Sequence, residues 1–166
     1  MRVMIDAAYV FRASNGFRLQ SREGELVFVD YEKLLVHLAR VSGNPDRAHV
    51  SVYVTAYPSR DPSGFVRKLE SLGAVVKVKH LGGRSGQGRD ARDNWDVGIA
   101  VDLVAAVERG EREFLVVAGS GALAPALVHA LAAGAKVRIA GFASSISAEL
   151  LKHCEATILA AEALTL

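Results

Sequence analysis

Acidic side chains stand where two predicted elements end or begin. Asp6 directly follows Arg2 to Ile5, a short β-branched run that predicts a first strand. Asp93 and Asp96 lie three positions apart at the start of a predicted helix, so their side chains share one helical face. A carboxylate after a buried strand is costly unless it is hydrogen-bonded or binds a cation. These residues therefore predict a cation site, although turn or helix capping explains the same residue types.

A locally basic segment lies between these acids in a chain whose formal net charge is only +2. Between Lys77 and Arg92 the one acid is Asp90, and the basic residues are Lys77, Lys79, His80, Arg84, Arg89 and Arg92. Such a segment predicts contacts with phosphate groups, and a solvated surface loop is the alternative. Aromatic residues near the same edge can stack on exposed bases or pack in the core: Tyr9, Phe11 and Trp95. Trp95 is expected to be the most exposed of the three.

A glycine-containing turn, Gly119-Ser120-Gly121, separates a predicted strand from a predicted helix. Its backbone N–H groups and the Ser120 hydroxyl could bind an anion at the helix start. The alternative is a tight turn in which Ser120 caps the helix. The pattern Gly119, Gly121, Ala124 is only a loose match to a dinucleotide-binding fingerprint, and it follows the fourth strand rather than the first.

Strands and helices that alternate along the chain must position these residues. Predicted strands are Arg2–Ile5, His49–Tyr57, Ala74–Leu81, Glu113–Ala118, Lys136–Phe142 and Ala156–Leu159, with a hairpin over Gly16–Val29. Helices are predicted after Asp30, near Pro62, and over Trp95–Arg109, Leu123–Ala133 and Ser147–His153; Gly82–Asp93 is predicted as a loop. This order predicts an α/β three-layer sandwich with a central, mainly parallel sheet, Rossmann-like, in a single domain over 1–166. Ligands of such sheets bind at the carboxyl ends of the strands.

The composition excludes several classes of protein. With 51% hydrophobic and 23% charged residues the chain is globular rather than disordered. Its apolar runs are too short to span a bilayer, so no membrane is expected. The single cysteine, Cys154, excludes an internal disulfide, and we expect a cytoplasmic protein. The apolar tail Ile158–Leu166 could pack on the sheet edge or on a second copy in a homodimer.

Four segments together resemble the NYN family, the PIN-like nuclease group that includes the LabA-type proteins. The segments are Met4-Ile5-Asp6, Asp96-Val97-Gly98-Ile99-Ala100-Val101-Asp102, Phe114-Leu115-Val116-Val117-Ala118-Gly119, and Ala133 to Phe142 (AGAKVRIAGF). The resemblance implies a PIN-like fold and a ribonuclease that depends on Mg²⁺ or Mn²⁺. It implies Asp6 and Asp96 as catalytic residues and metal ligands, Asp102 as a further ligand, and RNA as the partner. Together with the basic segment, the aromatic residues and the glycine-containing turn, this predicts the following RNA-contacting residues: Lys79, Arg84, Arg89, Arg92, Trp95 and Ser120.

The chain departs from the family pattern at two motifs. Asp6 is followed by Ala7-Ala8-Tyr9, where the family usually has Gly-Asn-Asn. Ser120 and Ala122 stand where the family has aspartates after the fourth strand. Fewer carboxylates mean weaker binding of a hard divalent cation. Two hypotheses follow: a weakened or inactive ribonuclease that still engages RNA, or a non-catalytic module that binds a nucleotide, RNA or a protein.

Overall fold

Short runs of buried apolar residues form the central sheet of this protein. The structure is a computed structural model that describes residues 1–20, 28–43, 49–58, 60–81, 94–160 and 164, with the backbone alone for 16–20. The strands in these ranges are β1 (Arg2–Asp6), β2 (Val50–Ala56), β3 (Val75–His80), β4 (Glu113–Val117), β5 (Lys136–Phe142) and β6 (Ala156–Leu159). They lie in the order β3-β2-β1-β4-β5-β6, and every neighbouring pair is parallel. The predicted parallel α/β architecture is confirmed.

Helices cover both faces of the sheet. They are α1 (Ala7–Gln20), α2 (Tyr31–Ser42), α3 (Ser63–Ser71), α4 (Asp96–Glu108), α5 (Ala124–Ala132) and the short α6 (Ala148–Leu151). One apolar cluster includes Val10, Leu38 and Leu69 and packs α1, α2 and α3 against one face. A second cluster includes Ile99 and Leu127 and packs α4 and α5 against the other. No helix in the described ranges is long and apolar enough to cross a bilayer.

The predicted hairpin over Gly16–Val29 is wrong in its first part, because the backbone of residues 16–20 continues helix α1. Residues 21–27 lie outside the described residues. The spacing of apolar residues does not predict helix α1, because two of its buried residues are polar. Ser14 Oγ and Asn15 Nδ2 donate to the carbonyl oxygen of Phe11, at 3.1 and 2.7 Å, which satisfies these side chains inside the helix.

The strand order creates a crevice at the centre of the sheet. The chain runs outward from β1 through β2 to β3, and then crosses back to β4 on the other side of β1. Helices that follow β1 and β4 therefore lie on opposite faces, and the carboxyl ends of these two strands flank a topological switch point. Ile5 pairs with Val117, so Asp6 and the residues after β4 reach the same edge. This edge is where the predicted site residues meet.

Tyr9 fixes helix α1 to the end of β5. Ser145 Oγ donates to the carbonyl oxygen of Phe142 at 2.7 Å, so in turn it accepts from the Tyr9 hydroxyl at 2.6 Å. The Tyr9 oxygen accepts the buried N–H of Phe142 at 3.2 Å. A Cβ atom at Gly119 would lie 2.6 Å from the Tyr9 ring, and one at Gly141 would collide with its hydroxyl. Glycine at these two positions makes room for the tyrosine.

Replacing Tyr9 by Phe should destabilise the fold. The N–H of Phe142 would lose its acceptor in a buried place, which costs about 1–3 kcal/mol. Urea denaturation should show a lower midpoint with an unchanged slope. An unchanged midpoint would mean that this hydroxyl does not hold α1 to the sheet.

Candidate functional site

Asp6 ends β1 and is almost fully buried, at 2% exposure. Its Oδ1 accepts the N–H groups of Ala8 and Tyr9 at 2.9 and 3.1 Å, so Asp6 caps helix α1. The predicted capping role is therefore confirmed. Capping uses only one oxygen, and within the described part of the chain Oδ2 accepts no hydrogen bond. Asp6 can cap α1 and still offer a ligand oxygen.

Asp96 is the first residue of α4 and is 5% exposed. The capping position before it is Trp95, whose side chain makes no capping bond. No hydrogen bond from another described residue reaches the Asp96 carboxylate. A buried carboxylate without a partner is costly, and a bound cation is one way to offset that cost. For Asp96 the structure favours the site interpretation over a side-chain cap.

The two carboxylates lie close enough to influence each other. Burial raises the pKa of Asp6 above its ordinary value, and the negative charge of Asp96 adds to the rise. The N–H groups of Tyr9 and Ala8 and the positive charge of Arg12 oppose it. Like charges held together out of water are typical of metal and catalytic sites.

Asp102 points away from Asp96 and makes its hydrogen bonds with other elements of the fold. It lies six residues along α4 from Asp96, about 9 Å down the helix axis and about 240° around it. Its Oδ2 accepts from Tyr53 Oη at 2.7 Å and from Lys77 Nζ at 2.6 Å. Burial works against ionisation, but these two bonds hold the pKa of Asp102 below its ordinary value. Asp102 ties α4 to strands β2 and β3.

Two of the predicted RNA-contacting residues pack against each other before α4. Lys79 Nζ donates to the carbonyl oxygen of Asn94 at 2.5 Å and lies 5.3 Å from the centre of the Trp95 ring. Trp95 is half-buried against Tyr53, with ring centres 5.3 Å apart, and a Cβ atom at Gly98 would lie 2.5 Å from it. Expecting Trp95 to be the most exposed aromatic was wrong, because Phe11 is 40% exposed. The predicted contacts Arg84, Arg89 and Arg92 and the acid Asp93 lie outside the described residues.

The turn after β4 is built as a tight strand-to-helix connection. Ser120 Oγ accepts the N–H of Ala122 at 3.3 Å and caps a short 3₁₀ turn over Gly121–Leu123. The carbonyl oxygen of Gly119 accepts the N–H of Ser147 at 2.9 Å. The close approach that Gly119 permits is to Tyr9 and Ser145 of the same chain. These contacts favour the capping alternative over an anion-binding turn.

Two carboxylates are a small ligand set for a metal. Among the residues that the structure describes, no three His, Cys, Asp or Glu side chains form a group that could hold a metal ion. Mg²⁺ in phosphate-processing enzymes is often bound by one or two carboxylates, with water and substrate phosphate completing its shell. Asp6 Oδ2 and the Asp96 carboxylate fit a cation of that kind. Ser120, at the same edge, brings no charge.

Sequence reasoning missed Arg12, whose charge acts on Asp6. Arg12 stands six positions after Asp6, a separation that does not by itself indicate an interaction between the two residues. The polar buried residues Ser14 and Asn15 conceal helix α1. A clearer signal is the capping acid Asp6 itself, because Asp is a preferred residue before a helix.

Comparison with known proteins agrees with this architecture. The fold and the paired acids define a parallel α/β domain with two buried carboxylates at the carboxyl edge of its sheet. The model of the NYN domain matches residues 1–161, so the chain belongs to the NYN domain family, a family of PIN-like nucleases. A protein of unknown function from Vibrio parahaemolyticus matches in structure with a TM-score of 0.73, over 99% of this chain and 94% of that chain, at 18% identity. That likeness confirms the fold alone. No curated protein matches the sequence.

Replacing Asp102 by Asn should lower stability in a pH-dependent way. Because the folded state lowers the pKa of Asp102, its stabilising effect is full above the ordinary value of 3.8 and is lost as pH falls through the lower folded value. With Lys77 partly solvated, we expect a loss of about 1 kcal/mol at pH 7 that shrinks below about pH 4. Urea unfolding of both proteins at pH 7 and pH 3 measures this. An equal loss at both values would contradict an ionic role.

Proposed function

We propose that this chain is a metal-dependent ribonuclease with reduced metal affinity, acting at Asp6 and Asp96. The observation that carries the proposal is the pair of buried carboxylates at the switch point of an NYN domain. Within the described residues, Asp6 keeps one oxygen free of hydrogen bonds and Asp96 keeps both. Nucleases of this family typically depend on a divalent metal.

The residues of this site would have distinct roles. Asp6 and Asp96 would hold Mg²⁺ or Mn²⁺, which when bound activates water and offsets negative charge on the phosphate. The N–H groups of Ala8 and Tyr9 orient Asp6 through Oδ1 and leave Oδ2 for the ligand role. Since the pKa of Asp6 is raised above its ordinary value, a proton on this residue competes with the cation at a higher pH than it would on an exposed aspartate. Activity should therefore fall as pH is lowered toward the acid range.

A second candidate is an RNA-binding module without catalysis. The observation in its favour is the turn after β4, where Ser120 and Ala122 stand in place of the family's aspartates. That turn leaves the cation site with two carboxylates. The two candidates share the site and the RNA substrate class, and differ only in whether two ligands suffice for cleavage.

A cleavage assay with three aspartate variants separates the candidates. Purified protein with Mn²⁺ should cut a fluorescent single-stranded RNA, and Asp6→Asn or Asp96→Asn should each reduce the rate at least about 100-fold. We expect at least this loss because mutation of residues that only hydrogen-bond to metal ligands already lowers metal affinity or activity about 10–100-fold. Asp102→Asn is the matched control on the same helix: because Asp102 anchors α4 but does not face Asp6, this variant should lose far less of the rate than either of the other two. No cleavage by the wild type would favour the binding module.

Asp6→Asn should also fold at least as stably as the wild type, which separates lost catalysis from lost structure. Asn keeps a capping oxygen for Ala8 and Tyr9, and the change removes a buried charge. Because the folded pKa of Asp6 is raised, ionised Asp6 costs stability at neutral pH, so the variant should gain about 0.5–2 kcal/mol. A markedly lower melting temperature would contradict this account of Asp6.

Adding a carboxylate after β4 should strengthen metal binding. Ser120→Asp places a third acid at the edge shared with Asp6, and Asp is as good a capping residue as Ser. Affinity for hard cations rises with the number of charged ligands, so Mn²⁺ should bind at least about tenfold more tightly by titration calorimetry. Ser120→Asn is the uncharged control of the same shape. Equal affinity of the two variants would place the metal elsewhere.

A further inference from the structure

A cavity of about 630 Å³ opens on the other face of the sheet from α4. It lies between α1, the end of β2 and the start of α3, and its volume is in the range of small-ligand pockets. We call it the aromatic pocket after the five rings that line it: Phe11, Phe28, Tyr31, Tyr57 and Phe65. The cation site at Asp6 and Asp96 does not use these rings.

The rings of the aromatic pocket are unusually open to solvent. Phe28 is 52% exposed, Tyr57 41%, Phe11 40% and Phe65 36%. Four of the five rings form pairs: Phe11 and Phe28 have centres 6.1 Å apart, and Tyr31 meets Phe65 edge-on at 5.0 Å. Exposed apolar side chains that cluster in one concavity are typical of a binding site, whereas single exposed apolar side chains are common on protein surfaces. Flat aromatic faces of this kind stack on nucleobases without regard to sequence.

The rim of the aromatic pocket carries the charge that a nucleotide requires. Arg12 and Arg60 are among its lining residues, together with one acid, Asp61. Asp61 is already engaged, accepting from the N–H and the hydroxyl of Ser63 at 2.9 and 2.7 Å. Two guanidinium groups beside apolar rings suit a ligand that is aromatic at one end and anionic at the other.

The aromatic pocket is lined by the first residues of helix α1, which directly follow Asp6. Ala7 and Ala8, the two residues after Asp6, line the pocket wall. Arg12 lines the pocket and its charge also acts on Asp6. The negative charge of Asp6 acts in turn on Tyr31, another lining residue. A phosphate near Asp6 would therefore have a base-sized aromatic cavity beside it.

We propose that the aromatic pocket binds one unstacked base of single-stranded RNA, next to the phosphate at Asp6 and Asp96, with Arg12 contacting the RNA backbone. The proposal takes its substrate class from the proposed function, and adds where the base lies and why the strand must be single. In a duplex the bases are stacked and paired, so they cannot enter a side pocket. The pocket would select unpaired segments of RNA.

Binding in EDTA tests the aromatic pocket without metal or cleavage. The probe is a short fluorescent single-stranded RNA, measured by anisotropy, with a duplex of the same sequence as competitor. Phe28→Leu and Phe65→Leu, which keep an apolar side chain but lose the ring, should each weaken binding about tenfold. Phe28→Trp, which keeps an aromatic ring, should bind more tightly than Phe28→Leu. Ile158→Ala is the control, an exposed apolar residue on β6 at the far edge of the sheet.

Arg12→Gln gives a second, electrostatic readout. If Arg12 contacts the RNA backbone, the slope of log affinity against log salt should fall by about 0.7 for a single strand. An unchanged slope would remove Arg12 from the interface. Wild-type affinity in both leucine variants, or equal competition by the duplex, would overturn the base pocket. Binding of an apolar peptide that the leucine variants retain would identify the pocket as a protein-docking site instead.

The outcomes also separate this proposal from the proposed function. If the RNA binds through the aromatic pocket but Mn²⁺ gives no cleavage, the pocket stands and the nuclease fails. If the wild type cleaves and the leucine variants leave KM and kcat unchanged, the nuclease stands and the pocket fails. Absence of any RNA binding by the wild type would overturn both.

Discussion

Two carboxylates buried together at the centre of the sheet constrain the rest of this structure. Asp6 and Asp96 are each at most 5% exposed, and the negative charge of Asp96 adds to the effect of burial in raising the pKa of Asp6. Folding places them there because β1 ends at Asp6 and α4 begins at Asp96. Such a pair lowers stability unless something at the site offsets its charge. We interpret this loss of stability as evidence that the pair of carboxylates has a function.

Several contacts elsewhere hold the pair in position. Tyr9 fixes the helix that Asp6 caps, through its bonds to Phe142 and Ser145. On the other face, Lys79 holds the segment before α4, and Asp102 anchors α4 to Tyr53 and Lys77. The contacts of Tyr9 are neutral, and Asp102 is paired with the opposite charge of Lys77. The Asp6–Asp96 pair differs from them, because it places two like charges close together and the N–H groups on Asp6 only partly offset the effect of burial.

Much of the fold could be predicted because parallel strands are nearly continuous apolar runs. Phe114 to Val117 is such a run, and it forms the central strand β4. Helix α1 could not be predicted in this way, because Ser14 and Asn15 occupy buried positions that the apolar pattern reserves for hydrophobic residues. Because this helix was not predicted, Arg12 was not predicted to lie near Asp6.

Part of the candidate site could also be predicted from local sequence. An acid at the end of a strand or the start of a helix can be located from local sequence, as Asp6 and Asp96 were. Whether an acid further along a helix points to the same place depends on what packs against it. The helical spacing indicates that Asp102 points away from Asp96, but it does not identify the partners of Asp102, which are Tyr53 and Lys77 on other strands. The aromatic pocket likewise joins Phe11, Phe28 and Phe65 from separate parts of the chain.

The central claim is that Asp6 and Asp96 form a cation site, and anomalous diffraction from crystals grown with Mn²⁺ tests it most directly. The account predicts one strong anomalous peak between the two carboxylates, at a ligand distance of about 2.0–2.6 Å from oxygens of both residues. The peak should be absent in crystals of Asp6→Asn grown in the same way. No peak at this edge at saturating Mn²⁺, or a peak that persists in the variant, would contradict the account.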